Sequence, residues 1–451
     1  MSTPTLARTC TELPRVVGAD LRVPLVTGET ITYANLDLAA SAPALEDVAA
    51  HITTLLPYYS SVHRGAGYAS QVSTAVLESA RAAVGAFVGA RSDDVVVFTR
   101  NTTDALNLLA GCVPHSGQVL CLDIEHHANL LPWRRRAHRV VRAAATVEQT
   151  LAELDSALRS TPTALLAITG ASNVTGEVLP VDRIVAIAHA AGARVVVDAA
   201  QLAPHRCIDL AATGVDYLAL SGHKLYAPYG AGALIGRRDW LDAAPAYLAG
   251  GGAVQEVTRD GVEWAPAPHR HEAGTPNVLG AAALAQACRT LAPVLAEAAL
   301  EHERALLERL RTGLAAIPGV ETLRIWADST DQVAVQSFTV ADRPAGYVAA
   351  YLSAEHGIGV RDGRFCAHPL LATLNPDSGE AVRVSIGVGT TAEHIDRLID
   401  ALTTLVTRGA SWTYAPIDGR WAPTPDPRPI DPLGIGALGL PVGPACGPAG
   451  H

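Results

Sequence analysis

Short apolar runs alternate with amphipathic stretches from Asn35 to about Ala285. The amphipathic stretches at residues 74–88 and 181–191 have the pattern of helices. The apolar runs have the length of buried strands and lie at residues 95–99, 119–122, 164–169, 194–198 and 217–221. Such alternation predicts an α/β domain with a mostly parallel sheet.

The pattern changes at about Leu291. A long helix rich in Ala, Leu and Glu is predicted from there to about Ala316, and it ends at Ile317-Pro318-Gly319. The short elements that follow indicate a smaller α+β domain and are predicted at residues 332–340, 345–356, 383–386 and 393–408.

These changes divide the 451 residues into four parts. Residues 1–30 have weak periodicity and are expected to pack as an N-terminal arm. Residues 31–290 form the large domain and residues 291–408 the small one, which suits a chain of this length. Residues 409–451 are rich in Pro and Gly, which predicts a disordered or loosely attached tail.

Composition and charge narrow the classes of function. Hydrophobic residues make up 49% of the chain, charged residues 17%, and the net charge is −10. Binding to nucleic acid needs a positive face for the phosphates, so we expect no nucleic-acid partner. The first residues lack the apolar core of a signal peptide, and we expect no apolar run to span a bilayer.

Seven cysteines are scattered along the chain, namely Cys10, Cys112, Cys121, Cys207, Cys288, Cys366 and Cys446. Their number is odd and no two are spaced as CxxC, which argues against a disulfide framework and against a structural zinc site. Reduced thiols are typical of the cytoplasm, where we expect this protein to act.

Two polar groups stand at the ends of consecutive predicted strands. Asp198, in Asp198-Ala199-Ala200-Gln201, ends one strand, and Lys224, in Ser221-Gly222-His223-Lys224, follows the next. Taken singly, the aspartate suits a helix cap and the lysine suits a surface loop. Together they fit pyridoxal phosphate (PLP), because a buried neutral lysine can attack an aldehyde and a carboxylate can keep the pyridine nitrogen protonated.

The segment Arg100-Asn101-Thr102-Thr103-Asp104 lies between a predicted strand and a predicted helix. Hydroxyls and free N–H groups at the start of a helix form an anion site, so Thr102 and Thr103 are candidates for binding a phosphate. The alternative, equally supported by this segment, is that one of the threonines caps the helix.

The segment Glu125-His126-His127-Ala128-Asn129 follows another predicted strand. Adjacent histidines can indicate a metal, and Asp123 and Glu125 could supply further ligands. Neighbouring side chains of an extended segment point apart, and no HxH or HxxxH spacing is present, so we expect no metal site. A histidine stacked flat on a pyridine ring fits the position better.

Together these segments resemble the class V aminotransferase family of fold-type I PLP enzymes. Within it the chain is most similar to the SUF-type (group II) cysteine desulfurases and to the selenocysteine lyases. The resemblance extends from about Asn35 to Arg408 and includes NLDLAA at 35–40, VHRG at 62–65, SNVTG at 172–176 and EAGTPN at 272–277. It implies a seven-stranded, mostly parallel sheet in the large domain, with the C-terminal α+β domain covering the crevice.

The resemblance implies roles for residues of this chain around the cofactor. Lys224 would hold PLP as a Schiff base, and Asp198 would pair with the pyridine nitrogen. His126 would act beside Lys224 by stacking on the ring. The ring hydroxyl would be contacted by Asn173 and Gln201, and the phosphate by Thr102, Thr103, Ser221 and His223.

Further roles implied by the resemblance concern the substrate and the partner subunit. Arg383 would bind the substrate carboxylate with its bidentate guanidinium, and Arg361 and Asn173 would also contact the substrate. Thr275 would reach the phosphate bound in the neighbouring subunit, which implies a homodimer with shared sites.

The segment RDGRFCAHP at 361–369 resembles the loop that carries the sulfur-accepting cysteine, here Cys366. Arg361 and Arg364 would favour the nucleophilic thiolate by their charge. The alternative is a buried structural cysteine, against which the flanking Gly, Arg, His and Pro argue. The segment departs from the group II pattern, which usually has histidines associated with proton transfer where this chain has Arg364, Phe365 and Gly67.

The implied reaction removes sulfur from L-cysteine, or selenium from selenocysteine, and leaves alanine and a persulfide on Cys366 for an acceptor protein or thiol. Lys224 would remove the α proton as general base. Two alternatives stay open. One is a family member that does not use Cys366: an aminotransferase, an epimerase or a C–S lyase. The other is a PLP-binding scaffold without turnover, although a scaffold need not retain Lys224 and Asp198.

Overall fold

A computed structural model describes residues 12–63, 65–429 and 431–434 of the chain. Arg64 of the VHRG motif, Cys10 and Cys446 lie outside the described residues, as do the outer parts of the predicted arm and tail.

The strands of the described residues are β1 Arg22–Pro24, β2 Thr30–Thr32, β3 Ala34–Asn35, β4 Val95–Thr99, β5 Gln118–Leu122, β6 His138–Val141, β7 Thr163–Thr169, β8 Arg194–Asp198, β9 Tyr217–Ser221, β10 Gly232–Gly236, β11 Val254–Val257, β12 Val262–Trp264, β13 Val320–Thr322, β14 Val335–Val340, β15 Ile358–Gly359, β16 Arg361–Gly363, β17 Ala381–Ser385, β18 Tyr414–Ile417 and β19 Arg420–Pro423. The α-helices are α1 Glu46–Leu55, α2 Tyr68–Phe87, α3 Thr102–Cys112, α4 Val147–Ser160, α5 Val181–Ala190, α6 Leu210–Thr213, α7 Arg238–Ala243, α8 Val278–Leu295, α9 Ala298–Ala315, α10 Ala345–His356, α11 His368–Leu374 and α12 Ala392–Arg408.

The central sheet has seven strands in the order β4-β10-β9-β8-β7-β5-β6. β10 runs antiparallel to β4 and β9, and the other neighbours pair in parallel. The predicted seven-stranded, mostly parallel sheet is therefore confirmed. The five predicted strands are β4, β5, β7, β8 and β9.

Apolar side chains cover both faces of this sheet. Along β8, Val195 and Val197 belong to the apolar cluster on one face, and Val196 belongs to the cluster on the other. Successive side chains of a strand point to opposite faces, so a strand with both faces covered must be apolar at every position. This is why the predicted strands appear as continuous apolar runs.

The ends of the parallel strands place the polar segments together. β4, β5, β7, β8 and β9 share one direction, so the segments that follow them meet at one edge of the sheet. β10 starts at the same edge with Gly232, where an added Cβ would lie 2.7 Å from the Cα of Asn101. Only a glycine lets the segment before α3 approach the sheet this closely.

The predicted long helix from about Leu291 is wrong. The chain forms α8 and α9 instead, with a break at Ala296 and Glu297. Leu291 and Leu295 of α8 pack in the core around the central sheet, whereas the apolar residues near the end of α9 pack in a second core with β14, β17, α10 and α12. The break lets the chain pass from one core to the other. The domain boundary at 290 and 291 stays a prediction.

The segment after Gly409 also differs from the predicted disordered or loosely attached tail. β18 and β19 form an antiparallel hairpin. Tyr414 is buried and its hydroxyl donates to Glu355 Oε1 over 2.9 Å, while the ring of Trp421 lies 5.3 Å from that of Tyr347. Two aromatic residues thus anchor a segment whose Pro and Gly content suggests disorder.

One described helix, α8, is long and apolar enough to cross a membrane by length and composition, and 67% of it is buried within the protein. An apolar run of this length was not predicted from the sequence. Burial against other elements accounts for the apolar character of α8, since a helix inside a large core is apolar on all sides.

Candidate active site

A cavity of about 310 Å³ lies at the edge of the sheet where the parallel strands end. It brings together nearly all the side chains predicted to act: Thr102, Thr103, His126, Asn173, Asp198, Gln201, Ser221, His223, Lys224, Arg361, Cys366 and Arg383. Thr275 is exposed and does not line this cavity of its own subunit.

Lys224 projects into the cavity from the turn after β9. Its surroundings lower the pKa of the amine to about 8, chiefly through burial, and the carboxylate of Asp198 opposes this shift. The described residues place no carboxylate within ion-pair distance of the amine. A buried lysine of this kind has a neutral fraction that can attack a carbonyl group.

The composition of the chain singles out Lys224 independently of the motifs. Lys224 is the only lysine in the sequence, in which every other basic side chain of this length is arginine. Arginine stays protonated at any ordinary pH, so only Lys224 can supply a neutral side-chain amine.

Asp198 is buried at the end of β8 and accepts one hydrogen bond, from the N–H of Ala200 to Oδ1 over 2.9 Å. Burial raises the pKa of its carboxyl group, opposed by this hydrogen bond and by the charge of Lys224. Among the described residues the other carboxylate oxygen has no hydrogen-bond partner. A buried carboxylate with a free oxygen fits a cationic ring nitrogen.

The start of α3 lines the cavity and has the features of an anion site. The side chain of Asn101 caps the helix by accepting from the N–H of Asp104, so the alternative that Thr102 or Thr103 is the cap is wrong. The N–H and hydroxyl of Thr102 each lie 2.8 Å from the Ser221 hydroxyl, and Thr103 is exposed. The helix dipole and these hydroxyls suit a phosphate.

His126 is held as a neutral ring over the cavity. Its Nδ1 accepts the N–H of Ala128 over 3.0 Å. Burial lowers the pKa of this ring to about 3, and the nearby charge of Lys224 adds to the effect. A neutral ring fixed in this way is suited to stacking on another ring.

Glu125 stabilises the backbone of the segment that carries His126. It is fully buried, and its two oxygens accept from Asn129 Nδ2 over 2.7 Å and from the N–H of Thr169 over 3.1 Å. Burial raises the pKa of this carboxyl well above its usual value. Glu125 and Asn129 thus tie the His126 segment to β7. Nowhere in the described residues do three or more His, Cys, Asp or Glu side chains form a group suited to a metal.

The two predicted arginines differ in what they contact. Buried Arg383 donates from Nη1 to the carbonyl of Asn173 and from Nη2 to Asp37 Oδ1, each over 3.0 Å. Arg361 is exposed at the cavity, and its side chain makes no hydrogen bond or ion pair with the described residues. The guanidinium of Arg361 is therefore the more open to a substrate carboxylate. Asp37 lies in the NLDLAA motif, but its pairing with Arg383 was not predicted.

The predicted amides Asn173 and Gln201 hold neighbouring backbone. Asn173 Nδ2 donates to the carbonyl of Phe365 and Gln201 Nε2 to that of Ala39, each over 2.8 Å. Each side chain keeps its oxygen for a further partner, and both line the cavity.

Cys366 lies in a tightly held loop between β16 and α11. Phe365 and Cys366 have φ angles of 49° and 53°, a left-handed conformation that costs a non-glycine residue about 1–3 kcal/mol. Asn173 holds the Phe365 carbonyl, and the N–H of His127 donates to the Cys366 carbonyl over 2.8 Å. Backbone strain of this kind is typical of functional sites, and Cys366 is half-buried at the cavity.

Gly67 is one of the positions where the group II pattern usually has a histidine. It is exposed at the start of α2 and is not among the residues that line the cavity.

Comparison with known proteins gives a consistent result. The family model "Aminotransferase class-V" matches residues 34–398. A cysteine desulfurase of Dickeya dadantii is 35% identical over 390 residues, which cover 84% of this chain and 92% of the relative. A probable cysteine desulfurase of Mycobacterium leprae is 36% identical over 75% of this chain and 83% of its own length.

Solved structures agree with the sequence comparison. The apo structure of a cysteine desulfurase from Thermococcus onnurineus has a TM-score of 0.77 and 31% identity, covering 83% of this chain and 94% of its own. The cysteine desulfurase CsdA of Escherichia coli, in its S-sulfonic acid form, has a TM-score of 0.71 and 34% identity, covering 82% and 94%.

Proposed function

The chain belongs to the class-V aminotransferase family, and on that basis we propose that it is a PLP-dependent cysteine desulfurase that forms alanine from L-cysteine. The observation that carries the proposal is that Cys366 lines the same cavity as Lys224 and Asp198. Transamination needs no thiol at this place. The cysteine desulfurases among its relatives support the same reaction.

The residues present fit PLP as the cofactor. Lys224 Nζ would hold its aldehyde, Asp198 its ring nitrogen, and the start of α3 with Ser221 and His223 its phosphate. When bound, PLP supplies an electron-accepting ring that makes the α proton of an amino acid removable.

Different side chains of the cavity have different roles in binding the substrate and in moving its α proton. Arg361 binds the carboxylate of the amino acid, and His126 would stack on the ring of the cofactor. Lys224 Nζ removes the proton from Cα, for which the amine must be neutral. With a pKa of about 8, about a tenth of a free amine is neutral at pH 7.

Cys366 acts on the substrate sulfur. Its Sγ forms a bond to that sulfur while the bond from the sulfur to Cβ breaks, and the electron pair stays with the three-carbon fragment. The thiol of Cys366 loses one proton and Cβ gains one, so alanine and a persulfide form without any external oxidant or reductant.

Product analysis with the purified protein, PLP and L-cysteine tests this function. We expect alanine in a one-to-one ratio with sulfur, recovered as protein persulfide or, with an added thiol, as sulfide. Pyruvate and ammonia in place of alanine would identify a C–S lyase, and a requirement for a 2-oxo acid would identify an aminotransferase. A parallel reaction with selenocysteine determines which of the two amino acids is preferred.

We also propose a homodimer in which Thr275 contacts the phosphate bound in the partner subunit. Thr275 is exposed and away from its own cavity, which leaves its hydroxyl available to another subunit. A hydrogen bond to a charged phosphate contributes about 1.5–3 kcal/mol, so Thr275→Ala should weaken PLP retention at least about tenfold. The exposed Thr403→Ala on α12 is the matched control. A protein that is fully active as a dilute monomer contradicts this arrangement.

A further inference from the structure

A second cavity, of about 540 Å³, lies next to the cavity that contains Lys224 and Cys366, here called the catalytic cavity. The two cavities share two lining residues, Arg361 and Phe365. The other residues of the second cavity come mainly from α10, β16 and the β18–β19 hairpin. Its volume is that of an ordinary site for a small molecule.

The hairpin that lines the second cavity is packed on α10. The ring of Trp421 lies 5.3 Å from that of Tyr347. An added Cβ at Gly346 would lie 3.0 Å from Cδ1 of Trp421 and 3.3 Å from Oδ2 of Asp362, so this glycine lets the hairpin and β16 approach α10 at the same point. The family model matches residues 34–398, and the hairpin is therefore an addition to the matched part of the chain.

The charged side chains of the second cavity are not paired with one another. Arg361, Asp362 and Arg420 are exposed and Glu380 is partly exposed. None of these four side chains makes a hydrogen bond or an ion pair with the residues that the structure describes. Arg420 can therefore bind a carboxylate of a ligand with its guanidinium fork.

The proposed reaction leaves only one end of the substrate free to be larger than cysteine. The α-amine must be free for the cofactor, the α proton must leave, and the sulfur must be unsubstituted for attack by Cys366. The carboxyl group makes and breaks no bond, and it binds Arg361, which lines both cavities. A substrate larger than cysteine would therefore be extended at its carboxyl group.

The volumes of the two cavities favour the same direction. The catalytic cavity, of about 310 Å³, has to hold the cofactor as well as the reacting end of the substrate. The rest of a larger substrate must then lie outside it. Beyond Arg361 and Phe365 the second cavity offers that space.

We propose that the second cavity binds the carboxyl side of a short peptide whose first residue is cysteine, with the terminal carboxylate on Arg420. This inference rests on the proposed desulfuration and names its substrate class. Arg361 then donates to the carbonyl of the first peptide bond. The sulfur passes to Cys366 as it does from cysteine, and the peptide bond stays intact. The products are an alanyl peptide and the persulfide, so no water, oxidant or reductant enters.

Desulfuration of L-cysteinylglycine by the PLP-loaded protein tests the substrate class. We expect alanylglycine as the product, with kcat/KM at least about tenfold above that for L-cysteine, because the dipeptide gains a charged hydrogen bond at Arg420. Glycylcysteine should not react, since its cysteine amine is part of the peptide bond. Mass spectrometry identifies the product. A preference for cysteine, or free alanine and glycine as the products, would overturn the proposal.

A variant of Arg420 and an amide of the dipeptide identify the contact. Arg420→Gln should lower kcat/KM for cysteinylglycine about tenfold and leave that for cysteine unchanged. Cysteinylglycinamide lacks the terminal carboxylate, so it should show the same loss in the wild type and no further loss in the variant. Equal losses for cysteine and the dipeptide in Arg420→Gln would contradict the proposal.

Arg408→Gln is the matched control for this variant. Arg408 is an exposed arginine at the end of α12 and lines neither cavity. The substitution removes the same charge, and both substrates should react as they do with the wild type. A loss for the dipeptide equal to that in Arg420→Gln would assign the effect to net charge and count against the site.

Binding without turnover separates this inference from the proposed function. Alanylglycine lacks the sulfur, and calorimetry should show that it binds the PLP-loaded protein at least about tenfold more tightly than alanine, with the gain lost in Arg420→Gln. If Cys366→Ala retains desulfuration, the proposed function fails, while tighter binding of alanylglycine still supports the site. If the wild type forms alanine through Cys366 but binds alanylglycine no better than alanine, only the peptide site fails.

Discussion

Lys224→Ala is expected to abolish alanine formation, with a loss of at least about 10⁴-fold. The variant loses both the amine that holds PLP and the general base that removes the α proton, and each of these contributions is large. Alanine release from L-cysteine measures the loss. Borohydride reduction of the wild type should leave the cofactor on the peptide that contains Lys224.

The sequence provides a built-in control for that experiment. Because Lys224 is the only lysine, the variant offers no other side-chain amine to PLP, and borohydride should trap nothing on its internal peptides. With a pKa of about 8, the neutral fraction of the amine rises about tenfold from pH 6 to pH 7, so cofactor uptake by the wild-type apoprotein should rise with pH in this range. Uptake that is equal in Lys224→Ala and wild type would rule out this role.

Cys366→Ala is expected to lose persulfide formation and to lower alanine release at least about 10³-fold. Removing a covalent nucleophile costs several powers of ten, and each tenfold corresponds to about 1.4 kcal/mol of barrier. Binding of PLP should be unchanged, since Lys224, Asp198 and the start of α3 remain. Persulfide labelling and alanine release are the measurements.

Cys207→Ala is the matched control for this variant, because Cys207 is exposed and does not line the cavity. It should behave as the wild type in both assays. If Cys366→Ala instead keeps wild-type activity, the desulfurase proposal fails, and a C–S lyase or aminotransferase activity replaces it.

The positions of Asp198 and Lys224 in the site were predictable because they depend only on where two neighbouring strands end. β8 and β9 are continuous apolar runs, and Asp198 and Lys224 stand where these runs stop. In a parallel sheet every such end lies at one edge, so the order of strands and loops along the chain is enough to bring the two side chains into one cavity.

Other contacts of the site depend on residues far apart in the chain. Asp37 and Arg383 pair although 346 positions separate them, and the motif that contains Asp37 gave no sign of its partner. The N–H of His127 and the carbonyl of Cys366 likewise come from different segments, and their contact was not predicted. Long-range pairing of this kind depends on how the C-terminal core packs on the central sheet, which local periodicity does not encode.

The sequence by itself therefore determined the α/β class, the main strands, and the lysine, aspartate and cysteine on which the proposed chemistry depends. The tertiary structure decided the break between α8 and α9, the folding of the hairpin that buries Tyr414, and the partners of Arg383 and Cys366. The physical reason is the distance along the chain over which each effect acts. Apolar periodicity and strand ends act over a few residues, whereas burial of a charge or an aromatic ring depends on which distant surface covers it.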